Sequence, residues 1–130
     1  MTVAAPRLIL LAHGSRHAEW AEPFRAVLAR LREKQPSLDA HLAFLERMAP
    51  SLDEAIDAAA AAGCSAVRIV PLLLGSGAHV REDVAQTAQR AAARHPTLQV
   101  DIAPAAGDDA AVIAALADYC ARCAEFGRAS

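Results

Sequence analysis

Four times along this chain an apolar run of strand length is followed by a segment whose apolar residues recur at helical spacing. A repeated strand-then-helix order implies parallel strands joined by right-handed crossovers, with helices covering both faces of the sheet. The first run, Arg7 to Ala12, turns continuously apolar and ends at His13, as a strand buried on both faces reads. Trp20, Phe24, Val27, Leu28 and Leu31 then share one helical face before Pro36 stops the segment. The second strand is Leu38 to Glu46. Ser51 and Glu54 make a capping-box pair, Leu52, Ala55, Ile56 and Ala59 form the inward stripe of the next helix, and Gly63 is placed to end it. A third strand, Ala66 to Leu74, leads through the loop Gly75 to His79 into a helix from about Val80 to His95. The last unit is a strand from Leu98 to Ala103, a Pro/Gly loop, and a helix from about Asp108 to Glu125. The expected fold is a single three-layer α/β domain spanning 1–130, with its core at about 7–126. Its four-stranded parallel sheet should run in the order 2-1-3-4, which covers both faces with short connections.

Length and composition agree. A chain of 130 residues suits one domain and can bury about two-thirds of its extended surface without disulfides. Apolar residues at 55% and charged ones at 22% exclude disorder, and 34 alanines favour helix. A net charge of −2 with no basic run argues against a nucleic-acid coat. The early apolar stretch Leu8 to Ala12 is too short for a signal core or a membrane span, so a cytoplasmic protein with no membrane partner is expected. Three cysteines, an odd number, fit a reducing compartment. Cys120 and Cys123 form a CxxC, but with Val112 and Leu116 they follow the stripe of the last helix and are expected as buried core residues. Cys64, beside Gly63, is expected in a turn.

Strand order 2-1-3-4 opens a crevice at the carboxyl ends of the first and third strands, where ligands of such sheets bind. His13 follows the first strand, Glu46 the second and His79 the third, so two imidazoles and a carboxylate should meet there. Such a trio can form an open site for a divalent metal or can move protons near neutrality. Taken singly, each is equally a loop cap or a solvated side chain. Arg16, Arg47 and Arg81 follow the three positions closely and should make the edge basic, implying an acidic ligand. The loop glycines Gly75 and Gly77, with Ser76 between them, offer backbone N–H groups or a close approach to a flat ligand. They lack the GK[ST] of a phosphate loop, which argues against a nucleotide. His17, four residues beyond His13, is a further candidate for ligand contact, whereas His41 and His95 point elsewhere.

LLAHGSR at 10–16, AFLE at 43–46 followed by Pro50 and Ser51, and PLLLGSGAHVREDV at 71–84 together resemble the CbiX/SirB class of tetrapyrrole chelatases. The resemblance runs in order over residues 8–84 and implies insertion of a divalent metal, Co2+, Fe2+ or Ni2+, into sirohydrochlorin, with the metal as substrate and no organic cofactor. It implies metal-site roles for His13 and His79 with Glu46 as acidic partner. With such a substrate, the surface at Gly75, Ser76 and Gly77 can take the ring, and Arg16, Arg47 and Arg81 are placed to meet its rim carboxylates, since guanidinium binds carboxylate in bidentate fashion, though each arginine reads equally as solvated surface charge. A short chain of this class makes its cleft by pairing two copies, so a homodimer is expected. A non-catalytic tetrapyrrole or metal carrier would use the same residues, and an interaction domain without ligand is the third reading.

Overall fold

The computed structural model describes residues 5–75 and 77–125. Strands β1 (Arg7–Ala12), β2 (Ala40–Phe44), β3 (Ala66–Pro71) and β4 (Gln99–Ile102) form one sheet in the order β2-β1-β3-β4. Every pairing is parallel, with Leu10 opposite Leu42 on one side and Val70 on the other. The helices are α1 (Glu22–Lys34), α2 (Leu52–Ala61), α3 (Ala78–Arg94) and α4 (Ala110–Cys123). Strands and helices thus fall where hydrophobic period placed them. Boundaries retreat by one to three residues at several ends, as at β3, which stops at Pro71 rather than Leu74.

Side-chain alternation divides the sheet into two unequal faces. On one, Ile9, Leu11, Ala43, Val67 and Ile69 pack against Leu52, Ala55, Ile56 and Ala59 of α2 and Val84, Ala88 and Ala91 of α3. Ile9, Leu11, Val67, Ile69 and Ile56 have no exposed side-chain surface to speak of, and each such aliphatic residue stabilises the fold by about 1.5–3 kcal/mol. On the opposite face, over β1 and β2, Ala12 and Phe44 meet Trp20 and Ala21 of the short turn before α1 and Phe24 within it. Trp20 and Phe24 stack at 4.8 Å between ring centroids.

The last helix departs from expectation. No residue of α4 is buried, and Cys120 and Cys123 are exposed rather than core. Val112, Leu116, Cys120 and Cys123 do share a face of α4, but among the described residues none buries it. Total accessible surface is 8700 Å2, against about 6,500 Å2 for a compact monomer of this mass.

Candidate active site

The end of β1 and the end of β2 are locked together by a contact between their loops. Leu45 and Glu46 donate backbone N–H groups to the carbonyls of Ala12 and His13 at 2.9 and 3.0 Å, continuing the parallel ladder past the strands. Gly14 turns at φ 106°, and a Cβ built on it would run into the Glu46 carbonyl oxygen. Only glycine allows both the left-handed turn and the close approach. This is the physical content of the HGS and FLE segments: one exists to let the other lie on it, and His13 and Glu46 become neighbours. Arg47 follows with φ 64°, a left-handed conformation uncommon for a side-chain-bearing residue, in the tight loop that leads to the capped start of α2.

His13 and Glu46 line a cleft of about 330 Å3 between α2 and α3. Leu45, Leu52 and Val80 give it apolar walls, and Asp53, Asp83 and Arg90 supply further charge. Arg94 reaches Asp53 at 3.3 Å and Asp57 at 2.9 Å, and His95 bonds Asp57 at 2.7 Å, so α2 and α3 are tied at the cleft's outer end. The His95 and Arg94 hydrogen bonds hold the Asp57 carboxyl below its usual range.

His79 does not join this cleft lining. It occupies the first turn of α3, is exposed, and precedes Val80, which lines both this cleft and a second one of about 220 Å3. The α3 N-terminus therefore stands between two clefts, with Arg81 lining the second together with Pro71, Leu73, Val84, Ile102 and Asp108. Among the described residues no three His, Cys, Asp or Glu side chains are grouped to hold a metal. The expected convergence of three groups is met by two. The cleft is also not basic, because three carboxylates and one guanidinium line it while Arg16, Arg47 and Arg81 do not. One helical step of about 100° carries Arg81 past Val80 and into the second cleft.

Gly75 and Gly77 face open space, neither has left-handed φ, and Leu74 beside them is 64% exposed. No left-handed turn requires glycine at either position, and a Cβ on either would meet no described atom within 4 Å. Ser76 lies outside the described residues. His17 caps the short 3-10 turn at Ala18–Ala21, its N–H donating to Ser15 Oγ at 3.1 Å. Asp83, Gln86, Thr87 and Arg90 were not singled out as cleft residues from sequence, yet with Val80 they repeat at helical spacing along α3. That polar stripe, running beside the buried Val84, Ala88 and Ala91, was the available signal.

An open parallel sheet carrying an imidazole and a carboxylate at its carboxyl edge defines the class of α/β proteins that bind ligands at strand ends. The family pattern of CbiX matches residues 7–123, and the chain belongs to that family. Its sequence is 29% identical over 93 residues to the sirohydrochlorin ferrochelatase of Priestia megaterium, covering 72% of this chain and 35% of that protein. It is 31% identical over 77 residues to the sirohydrochlorin cobaltochelatase of Sulfolobus acidocaldarius, covering 59% of this chain and 61% of that protein. The chain spans only about a third to three-fifths of the curated relatives it matches. A solved CbiX protein of Marinobacter aquaeolei VT8, assigned to cobalamin biosynthesis, superposes with a TM-score of 0.76 at 32% identity, covering 91% of this chain and 96% of that one. SirB of Bacillus subtilis, solved with Fe3+, superposes with a TM-score of 0.75 at 25% identity, covering 93% of this chain and 48% of that one.

Proposed function

We propose that this chain inserts a divalent metal ion, cobalt, iron or nickel, into sirohydrochlorin. The observation that carries the reading is the Gly14-enforced pairing of His13 with Glu46 at the sheet edge, in a chain of this family whose matched relatives are named sirohydrochlorin ferrochelatase and cobaltochelatase. Insertion requires two pyrrole N–H protons to leave and the incoming ion to lose water. A neutral imidazole at His13 serves either task, and the Glu46 carboxylate beside it stabilises the positive charge that gathers there. Asp83, in the same cleft, adds a second carboxylate within the ion's approach.

In this reading His79 is the second imidazole, standing at the start of α3 beside the clear surface over Gly75 and Gly77. The macrocycle lies on that surface with Ser76, and its acidic rim meets Arg16, Arg47 and Arg81, which are exposed. The active form is a homodimer of the cytoplasm acting in sirohaem or cobalamin-type biosynthesis. No helix among the described residues is long and apolar enough to cross a membrane.

The test is initial insertion rate with each metal, beside sirohydrochlorin affinity, for His13→Ala, His79→Ala, the double variant and Glu46→Gln. The expected result is a fall in rate far larger than the fall in affinity, with the two His losses non-additive. Normal rates in both single His variants would falsify the assignment. Tight binding with no acceleration by the unaltered chain would make it a carrier.

A further inference from the structure

Two clefts open on the same edge of the sheet, and the function proposed above assigns chemistry only to the one with His13. The second, of about 220 Å3, lies at the carboxyl ends of β3 and β4. Its walls are apolar: Pro71 and Leu73 at the end of β3, Ile102 and Ala105 at the end of β4, and Val84 on α3. Two charged groups interrupt them, Arg81 and Asp108. Among the described residues the Arg81 guanidinium has no carboxylate partner. Apolar walls that strip water from an alkyl chain, beside a guanidinium with no ion pair, have the chemistry to hold an aliphatic carboxylate.

The frame of this cleft is backbone rather than mobile side chain. Leu72 donates to the Leu11 carbonyl and Ala103 to the Ile69 carbonyl, each at 2.8 Å, and Gly107 donates to the Leu73 carbonyl at 2.9 Å. A Cβ on Gly107 would run into the Leu74 carbonyl, so the loop after β4 packs against the loop after β3 only with glycine there. Walls fixed in this way need little further ordering when a ligand enters.

The position of the cleft relative to His13 narrows the ligand. In the sheet β4 stands two places from β1, with β3 between them, so the end of β4 lies about 10 Å from the end of β1, where His13 begins its loop. That span is close to the reach from the centre of a tetrapyrrole to the tip of an alkyl carboxylate arm. Val80 walls both clefts, so a flat ring centred near His13 carries its rim across the first turn of α3 to the second cleft. With sirohydrochlorin as the substrate proposed above, on which this rests, we infer that the second cleft receives one alkyl carboxylate arm of the macrocycle, its methylenes against Val84 and Ile102 and its carboxylate on Arg81. Asp108 shares the cleft and repels a second anion, so a single arm enters and fixes the ring's rotation over His13. Arg81 is then a specificity residue, whereas Arg16 and Arg47, which line neither cleft, meet the rim in solvent.

The test measures binding of metal-free sirohydrochlorin to the full chain by fluorescence titration and by methyl NMR. The proteins are the unaltered chain, Arg81→Gln, Arg81→Lys and Ala105→Leu, which fills the cleft; cobalt insertion by the unaltered chain is followed in parallel. The expected result is a shift of the Val84 and Ile102 methyl resonances on binding. Affinity should fall about tenfold in both Arg81→Gln and Ala105→Leu, with part of it restored by Arg81→Lys. The same results without insertion uphold the arm site and overturn the chelatase reading in favour of a carrier. Binding that moves the Leu45 and Leu52 methyls but leaves Val84 and Ile102 unmoved overturns the inference, and insertion by the same protein upholds the proposed function. Loss of affinity in Arg81→Gln but not in folded Ala105→Leu also overturns it, because Arg81 then acts from the surface, as does full affinity in both. No binding by the unaltered chain overturns the inference and the function together.

Discussion

Helices α2 and α4 read alike in sequence and sit in opposite circumstances. Both are rich in Ala, both carry an apolar stripe, and both begin at a side-chain cap, Ser51 in one and Asp109 in the other. Yet α2 buries Leu52, Ala55, Ile56 and Ala59 while α4 buries nothing. Amphipathic period therefore reports that a helix needs a partner surface, and says nothing of which surface or whose.

The largest expected difference between the two is in the core. Ile56→Ala should lower the free energy of unfolding by about 2–5 kcal/mol, because it opens a cavity among Ile9, Leu11 and Ile69, whereas Leu116→Ala in dilute monomer should stay within about 0.5 kcal/mol. Urea titration of both variants checks this, and an equal loss in the two would erase the contrast.

The caps give a smaller effect. Ser51 Oγ accepts from the Glu54 N–H at 3.1 Å while Glu54 accepts from the Ser51 N–H at 2.9 Å, and these bonds hold the Glu54 carboxyl below its usual range. Ser51→Ala should therefore cost about 1 kcal/mol of global stability. Asp109→Ala should reduce helical circular dichroism at low protein concentration yet leave the urea midpoint in place, since α4 frays without disturbing a core it does not touch.

Smallest is the acid dependence of the α2–α3 tie. The His95 and Arg94 bonds lower the Asp57 pKa in the folded chain below the ordinary 3.8, so the stabilisation is complete above that value and is lost as pH falls through the folded one. Urea midpoints compared between pH 5 and pH 2 should fall less steeply for Asp57→Asn. Exposure and salt screening keep the effect small.

What was legible at the site follows the same division. Strand ends are visible in sequence as the points where apolar runs meet His13 and Glu46, but the contact between their loops, where Gly14 packs against the Glu46 backbone, is seen only in the structure. His79, by contrast, belongs to the first turn of α3, and its direction depends on where a helix axis leaves the strand. Arg81 shows the same dependence: adjacent in sequence to a cleft residue, it lines a different cleft. Asp83 and Arg90 were hidden for the opposite reason, since they lie near the site only because α3 runs alongside α2.

Local spacing by itself determined the four strands, their order, the buried stripe of α2 and the capping box, because each depends on contacts within a few residues or on the handedness of a crossover. Only the tertiary structure decided that α3 divides two clefts, that three carboxylates and Arg90, rather than Arg16, Arg47 and Arg81, line the one with His13, and that α4 buries none of its residues. Those outcomes turn on the angle at which a helix departs and on the anchor beneath Leu74, where Gly107 packs against backbone more than thirty residues away. Hydrophobic period carries no record of such long-range contacts, and so the helix whose stripe was expected in the core, α4, buries none of its residues.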